Sequence, residues 1–177
     1  MEHTLKNGKT VIIRKPTTND AKGIINLISS ADKETKFLAR EPEEFDITEE
    51  QEKEFITNIL RDNDMEWFIA EYQGEITGQG SVGLVKKYKR YRHRAEVSVV
   101  VSKDCWGLGI GGKLMEQCID WCKKKGITQI ELSVIADNKR AVKMYEDFGF
   151  RQTGVIPKAV RYSDGKYADE KLMVLEL

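Results

Sequence analysis

Apolar and polar positions along the chain switch between a period of two and a period near 3.6, which marks strands and helices in turn. Val11-Ile12-Ile13 predicts a first strand, ended by Pro16, which has no N–H to give a ladder. Thr17 or Thr18 then caps a helix whose apolar positions Ile24, Ile25, Leu27 and Ile28 lie on one side. Residues 33–46 show no period and contain Pro42, so they read as a loop. Thr48 with Gln51 forms a capping box, followed by a second helical stripe of Phe55, Ile56, Ile59 and Leu60. Trp67-Phe68-Ile69-Ala70 and Ser81-Val82-Gly83-Leu84-Val85 predict two strands with a turn at Gln73-Gly74 between them.

The next strand, residues 95–101, puts Val97, Val99 and Val101 on one face and Glu96, Ser98 and Val100 on the other. Leu114, Met115, Cys118, Ile119 and Cys122 recur at helical spacing, and Lys123-Lys124-Lys125-Gly126 closes that helix with dipole-compatible charge and a C′ glycine. Ile130, Leu132 and Val134 alternate as a strand. Asn138 caps a last helix lined by Ala141, Met144, Tyr145 and Phe148 and stopped by Gly149. Two apolar runs follow, around Val155-Ile156 and over residues 172–177. The expected order is β-α-α-β-β-β-α-β-α-β-β, a mixed α/β fold without repeats or a low-complexity linker.

Composition narrows the classes. A chain of 177 residues is expected to form one domain, residues 1–177, with a core that needs no staples. Its 29 basic and 29 acidic side chains balance, which argues against general attraction to nucleic acid or an anionic membrane. No stretch is apolar for long enough to span a bilayer, and the first residues lack the apolar core of a signal peptide. Cys105, Cys118 and Cys122 lack metal-ligand spacing, and the last two fall on the buried helical stripe. A reducing cytoplasm is the expected location. Basic residues over 86–94 are interleaved with Tyr88 and Tyr91. RNA could stack there, but an exposed hairpin tip explains one short run in a neutral protein. The acidic stretch 41–54 reads as a solvated helix start, with a wall facing a cationic amine as the alternative.

Candidate chemistry centres on Trp106-Gly107-Leu108-Gly109-Ile110-Gly111-Gly112. Glycines let backbone approach a ligand closely, and the N–H groups opening a helix suit phosphate. The loop satisfies both G-x-G-x-x-G and most of a P-loop. A P-loop needs Ser or Thr after its lysine to hold Mg²⁺, and Leu114 follows Lys113 here. A dinucleotide loop follows its strand directly, whereas Ser102-Lys103-Asp104-Cys105-Trp106 intervenes.

Residues 95–150 resemble the GNAT superfamily of acyl-CoA-dependent N-acetyltransferases. The family pattern Q/R-x-x-G-x-G/A is met at both small positions by Gly109 and Gly111, with Trp106 in the Gln/Arg place. The family's second pattern, N-x-x-A-x-x-x-Y-x-x-x-G-F, is met by Asn138, Ala141, Tyr145, Gly149 and Phe150. The resemblance implies a central mixed, mostly antiparallel sheet flanked by helices. It is closest in character to bacterial amino-acid and phosphinothricin-type enzymes.

On this resemblance acetyl-CoA is the co-substrate and no metal takes part. The valine-rich strand splays from the next one, and the backbone of Val99, Val100 and Val101 meets the pantetheine arm. Gly107, Leu108, Gly109, Ile110, Gly111 and Gly112 hold the pyrophosphate. Asn138 is placed on the pantetheine arm and Tyr145 beside the thioester sulfur as proton donor to the leaving thiolate. Residue types alone would make Asn138 a plain N-cap and Tyr145 a core aromatic. Glu96 is the candidate base for the attacking amine, with a water chain as alternative, and a backbone N–H of its strand would steady the oxyanion. The expected acceptor is a small primary amine or amino acid. A protein N-terminus of the ribosomal-protein type and a non-catalytic acyl-CoA-binding module are the alternatives. The C-terminal segment, residues 154–173, resembles one that folds over the acceptor site and can help build a homodimer, and it carries Arg161, Tyr162 and Tyr167 as candidate substrate contacts.

Overall fold

The alternation at Val11 and Ile13 is realised as a strand that buries both side chains, while Thr10 is exposed. The computed structural model describes all 177 residues. Its elements are β1 (Glu2–Thr4), β2 (Thr10–Arg14), α1 (Ala21–Glu34), α2 (Glu49–Arg61), β3 (Met65–Tyr72), β4 (Glu75–Leu84), β5 (Arg94–Val101), α3 (Ile110–Lys124), β6 (Gln129–Ile135), α4 (Lys139–Asp147), β7 (Arg151–Arg161) and β8 (Tyr167–Glu176). The fold is mixed α/β, as the pattern predicts. Strand β1 is an addition that three mostly polar residues do not announce. Packing divides the chain into two compact units, residues 1–83 with 97–121, and residues 84–96 with 122–177.

In the first unit β1, β2, β3 and β4 pair antiparallel in chain order. Ile24 and Ile28 of α1 and Ile56 and Ile59 of α2 pack with Trp67, Ile69 and Val100 in one cluster. Ala70 and Tyr72 pack with Ile110 and Leu114 of α3 and with Val99 and Val101 in another. The alternation of β5 thus divides its valines between two cores, as expected. Gly78 and Gly80 leave room for α3 to pack close against β4. A Cβ at Gly78 would stand 3.1 Å from Leu114, and one at Gly80 would stand 3.3 Å from it. Leu114, Met115 and Cys118 are fully buried, as their spacing predicts.

Two stripes differ in detail from expectation. In α2 only Ile56 and Ile59 of the four predicted positions are buried, whereas Phe55 and Leu60 are exposed, because 100° per residue carries them off the inward line. In α4 the buried positions are Val142 and Tyr145. The Thr48 capping box forms as read, with Gln51 N–H donating to Thr48 Oγ and Thr48 N–H to Gln51 Oε1. The first helix is entered through a polar knot. Arg14 donates to both Asp20 oxygens at 2.7 Å and to Glu71, and this holds the Asp20 carboxyl down at about 2.

In the second unit β6 pairs antiparallel with β8, and β8 with β7. The start of β5 runs parallel to β6, with Arg94 opposite Gln129 and Glu96 opposite Glu131. The apolar run at Val155-Ile156 belongs to an eleven-residue strand. Residues 86–93 form an exposed connection in which Lys86 lies over the Tyr91 ring and Tyr88 is exposed. All three cysteines are buried free thiols, and burial pushes Cys122 up to about 12. No helix is long and apolar enough to cross a membrane.

Candidate active site

The first unit carries the glycine loop. After β5 a turn of 3₁₀ helix over Lys103–Cys105 leads to Trp106, then to Gly107 and Gly109 with φ of +82° and +99°. Side chains with a Cβ pay heavily for such angles. Lys113 N–H donates to the Gly109 carbonyl, which makes Gly109 the cap of α3. The N–H groups of Ile110, Gly111 and Gly112 therefore lie in the first turn, where no intrahelical acceptor exists. Nothing stands within 4 Å of where a Cβ of Gly107 would be, so that side of the loop is open. An extended anion fits this row of donors and the dipole behind it.

Trp106 takes a role its position did not suggest. Its Nε1–H donates to the Val101 carbonyl at 2.8 Å, lashing the loop to the end of β5. Of the expected backbone contacts, the Val101 carbonyl is therefore engaged already.

The N-terminal turn also braces the loop, which sequence reasoning missed. Lys6 N–H donates to the Leu108 carbonyl at 3.2 Å, and Leu5 is buried in the cluster that contains Ile110 and receives Leu108.

A second polar cluster of the first unit lies around the end of α1. Asp32, whose side chain is wholly buried, pairs with Arg40 Nε at 3.4 Å, and the Arg40 guanidinium sits over the Phe45 ring. Glu34 accepts from the Lys103 N–H, tying that helix end to the residues just past β5. Trp67 Nε1 and Gln79 Oε1 are buried without hydrogen-bond partners. Arg40 and Asp32 lie in or beside the stretch read only as a loop.

The second unit carries Glu96, Asn138 and Tyr145. Glu96 is exposed on β5 and opens into a concavity of about 360 Å³. Glu131, Ser133, Thr153, Ile156 and Glu170 share its wall. Arg94 neutralises Glu131 through two hydrogen bonds of 3.0 and 2.6 Å, which leaves Glu96 and Glu170 as the other two carboxylates of that wall. Asn138 Oδ1 accepts from Ala141 N–H at 3.2 Å, the N-cap of α4. Tyr145 is buried, 7 % exposed, with its ring 5.8 Å from that of Phe150. Arg161 and Lys158 lie over the Tyr167 ring at the β7–β8 hairpin. Burial and the nearby Asp137 and Asp164 carboxylates push the Tyr162 hydroxyl up.

Comparison with known proteins decides the family. The model of the Acetyltransferase (GNAT) family matches residues 29–150. The chain belongs to that family. The GNAT chain is 28 % identical over 109 residues to the L-methionine sulfoximine/L-methionine sulfone acetyltransferase of Salmonella typhimurium, covering 62 % of this chain and 63 % of that protein. It spans less than two thirds of the length of the curated relatives it matches. Among solved structures it is similar to a GNAT-family acetyltransferase from Streptococcus pneumoniae, with a TM-score of 0.88 and 26 % identity over 94 % of this chain and 99 % of that one. A phosphinothricin acetyltransferase from Sinorhizobium meliloti, solved in complex with acetyl-CoA, shares the fold with a TM-score of 0.82 and 18 % identity, over 94 % of this chain and 88 % of that one.

Proposed function

We propose that this GNAT chain is an N-acetyltransferase that moves the acetyl group of acetyl-CoA to the primary amine of an amino acid or similar small molecule. The observation that carries this is the open first turn of α3, with Gly107 and Gly109 at positive φ and no side chain over it. Those residues fit the pyrophosphate of coenzyme A: Gly107, Leu108, Gly109, Ile110, Gly111 and Gly112 would offer it their backbone N–H groups. Val99, Val100 and the Val101 N–H would receive the pantetheine arm, as would the Asn138 side chain through its amide N–H. Acetyl-CoA itself supplies the activated acyl group.

Proton handling is assigned to two side chains of the second unit. Glu96, at the concavity beside neutralised Glu131, takes the proton that the acceptor ammonium must lose before its nitrogen can attack. Tyr145 supplies a proton or hydrogen bond to the departing thiolate. An amino-acid-like acceptor is favoured by the Salmonella relative's named substrates. The Arg40 guanidinium, braced on Asp32 and Phe45, suits an acceptor carboxylate. Exposed Val155, Ile156 and Leu172 of the β7–β8 pair support a homodimer, and the setting proposed is the cytoplasm.

The test is release of free thiol from acetyl-CoA across a panel of L-amino acids, methionine sulfone, simple amines and a peptide with N-terminal alanine. Acceleration by amino-acid-type acceptors is expected. Turnover of the peptide alone would move the chain to protein acetylation, and tight coenzyme A binding without turnover on any acceptor would make it a binding module.

A further inference from the structure

A pyrophosphate carries two negative charges, and the loop offered to it here contains no basic residue from Gly107 to Gly112. Trp106 stands in the Gln/Arg place of the family pattern, and its only polar group is spent on the Val101 carbonyl. Lys113, the next cation along the chain, is held by both oxygens of Glu116 at 3.0 and 2.9 Å. Backbone donors remain, but the charge is uncompensated by the loop itself.

The N-terminal turn provides what the loop lacks. We propose that Lys6 is a phosphate-positioning residue, its ammonium pairing with the pyrophosphate of coenzyme A over the glycine loop. This rests on the acetyl-CoA reading above.

The turn between β1 and β2 is tightly built. Leu5 N–H donates to the Lys9 carbonyl, and Gly8 N–H, from a glycine with φ of +80°, donates to the Leu5 carbonyl. Asn7 is fixed twice, donating to the Tyr72 hydroxyl at 3.1 Å and accepting from Lys9 N–H. Leu5, 5 % exposed, plugs the turn into the core that includes Ile110 and Leu114. Against this rigid support, the Lys6 backbone bonds to Leu108, and its stem passes along Gly109. A Cβ added at Gly109 would lie 3.9 Å from Lys6 Cγ. The lysine therefore starts beside Gly109, and its remaining flexible stem is long enough to bring a point charge to a ligand seated on the loop. Preorganisation of the turn keeps the ordering cost of that contact small. The arrangement also accounts for the short strand β1, whose pairing with β2 sets where the turn ends.

Calorimetric titration of the whole protein tests this with coenzyme A, dephospho-coenzyme A and acetyl-pantetheine against wild type, Lys6→Gln and Lys6→Arg. Lys6→Gln should weaken coenzyme A and dephospho-coenzyme A alike, about 3–10-fold in low salt, with the difference shrinking as ionic strength rises. Acetyl-pantetheine should bind wild type and variant equally, and Lys6→Arg should retain most of the affinity. A loss confined to coenzyme A would reassign Lys6 to the 3′-phosphate and overturn the pyrophosphate pairing. Unchanged affinity in Lys6→Gln would overturn it outright. Absence of coenzyme A binding by wild type would instead remove the acetyl-CoA reading, and this inference with it.

Discussion

The glycine loop and helix α4 both meet the family patterns, yet they are built by opposite means. Around the loop the groups proposed to bind are backbone N–H donors, and the neighbours that hold that backbone are the Trp106 indole on Val101, the Leu5 side chain in the core and the Lys6 backbone N–H on Leu108. In α4 the backbone is an ordinary short helix, and the roles proposed there fall to two side chains, Asn138 fixed as a cap and Tyr145 by burial against Phe150. A backbone site is broken by changing conformation, and a side-chain site by changing one atom. The two segments should therefore fail differently: the loop in cofactor affinity through its conformation, and the helix through single side-chain atoms, with Tyr145 failing in turnover.

The largest effect should come from a single oxygen. Tyr145→Phe keeps the ring and its packing, so its unfolding midpoint should stay close to wild type. Its kcat should fall about 100-fold or more, with the KM for acetyl-CoA within about twofold. An unchanged kcat in steady-state thiol release would remove Tyr145 from the chemistry and make α4 purely structural.

Gly109→Ala should give the next largest effect, and of the other kind. The added methyl meets only Lys6 Cγ at 3.9 Å, so space is sufficient, and the cost is a φ of +99°. Strain of about 1–2 kcal/mol should relax the loop and raise the KM for acetyl-CoA about 10-fold while kcat at saturation holds. Equal loss of kcat in the same assay would erase the contrast between the two segments.

Asn138 sharpens the comparison because it has two roles to separate. Asn138→Asp keeps the oxygen that accepts from Ala141 and loses the amide donor, so thermal unfolding should be unchanged while acetyl-CoA affinity drops a few-fold. Asn138→Ala should add about 1 kcal/mol of lost stability from the cap. Trp106→Phe should be mildest, removing one hydrogen bond to Val101 worth about 1 kcal/mol. It should show as a lower unfolding midpoint with a small rise in acetyl-CoA KM.

Legibility in the sequence followed the range of the interactions involved. The division of the β5 valines and the buried stripe of α3 are set by local periods of two and 3.6, and both were readable. Asn138 as a cap and the Thr48 capping box depend on residues three apart, and they too were readable. Lys6 was invisible as a candidate, since the turn that carries it is polar and its partner Leu108 lies about a hundred residues away in the chain. Arg40 on Asp32 was hidden in a stretch with no period, and burial of an aspartate cannot be inferred from spacing. Glu96 could be named through the family resemblance, but the concavity beside it could not, because residues of β6, β7 and β8 build its wall.

The most direct measurement is mass spectrometry of an L-amino-acid mixture incubated with the protein and acetyl-CoA labelled in its acetyl carbons. The account predicts label on the amino nitrogen of at least one amino acid, appearing in step with free coenzyme A and lost in Tyr145→Phe. Release of labelled acetate with no N-acetylated product, or no consumption of the thioester at all, would contradict it.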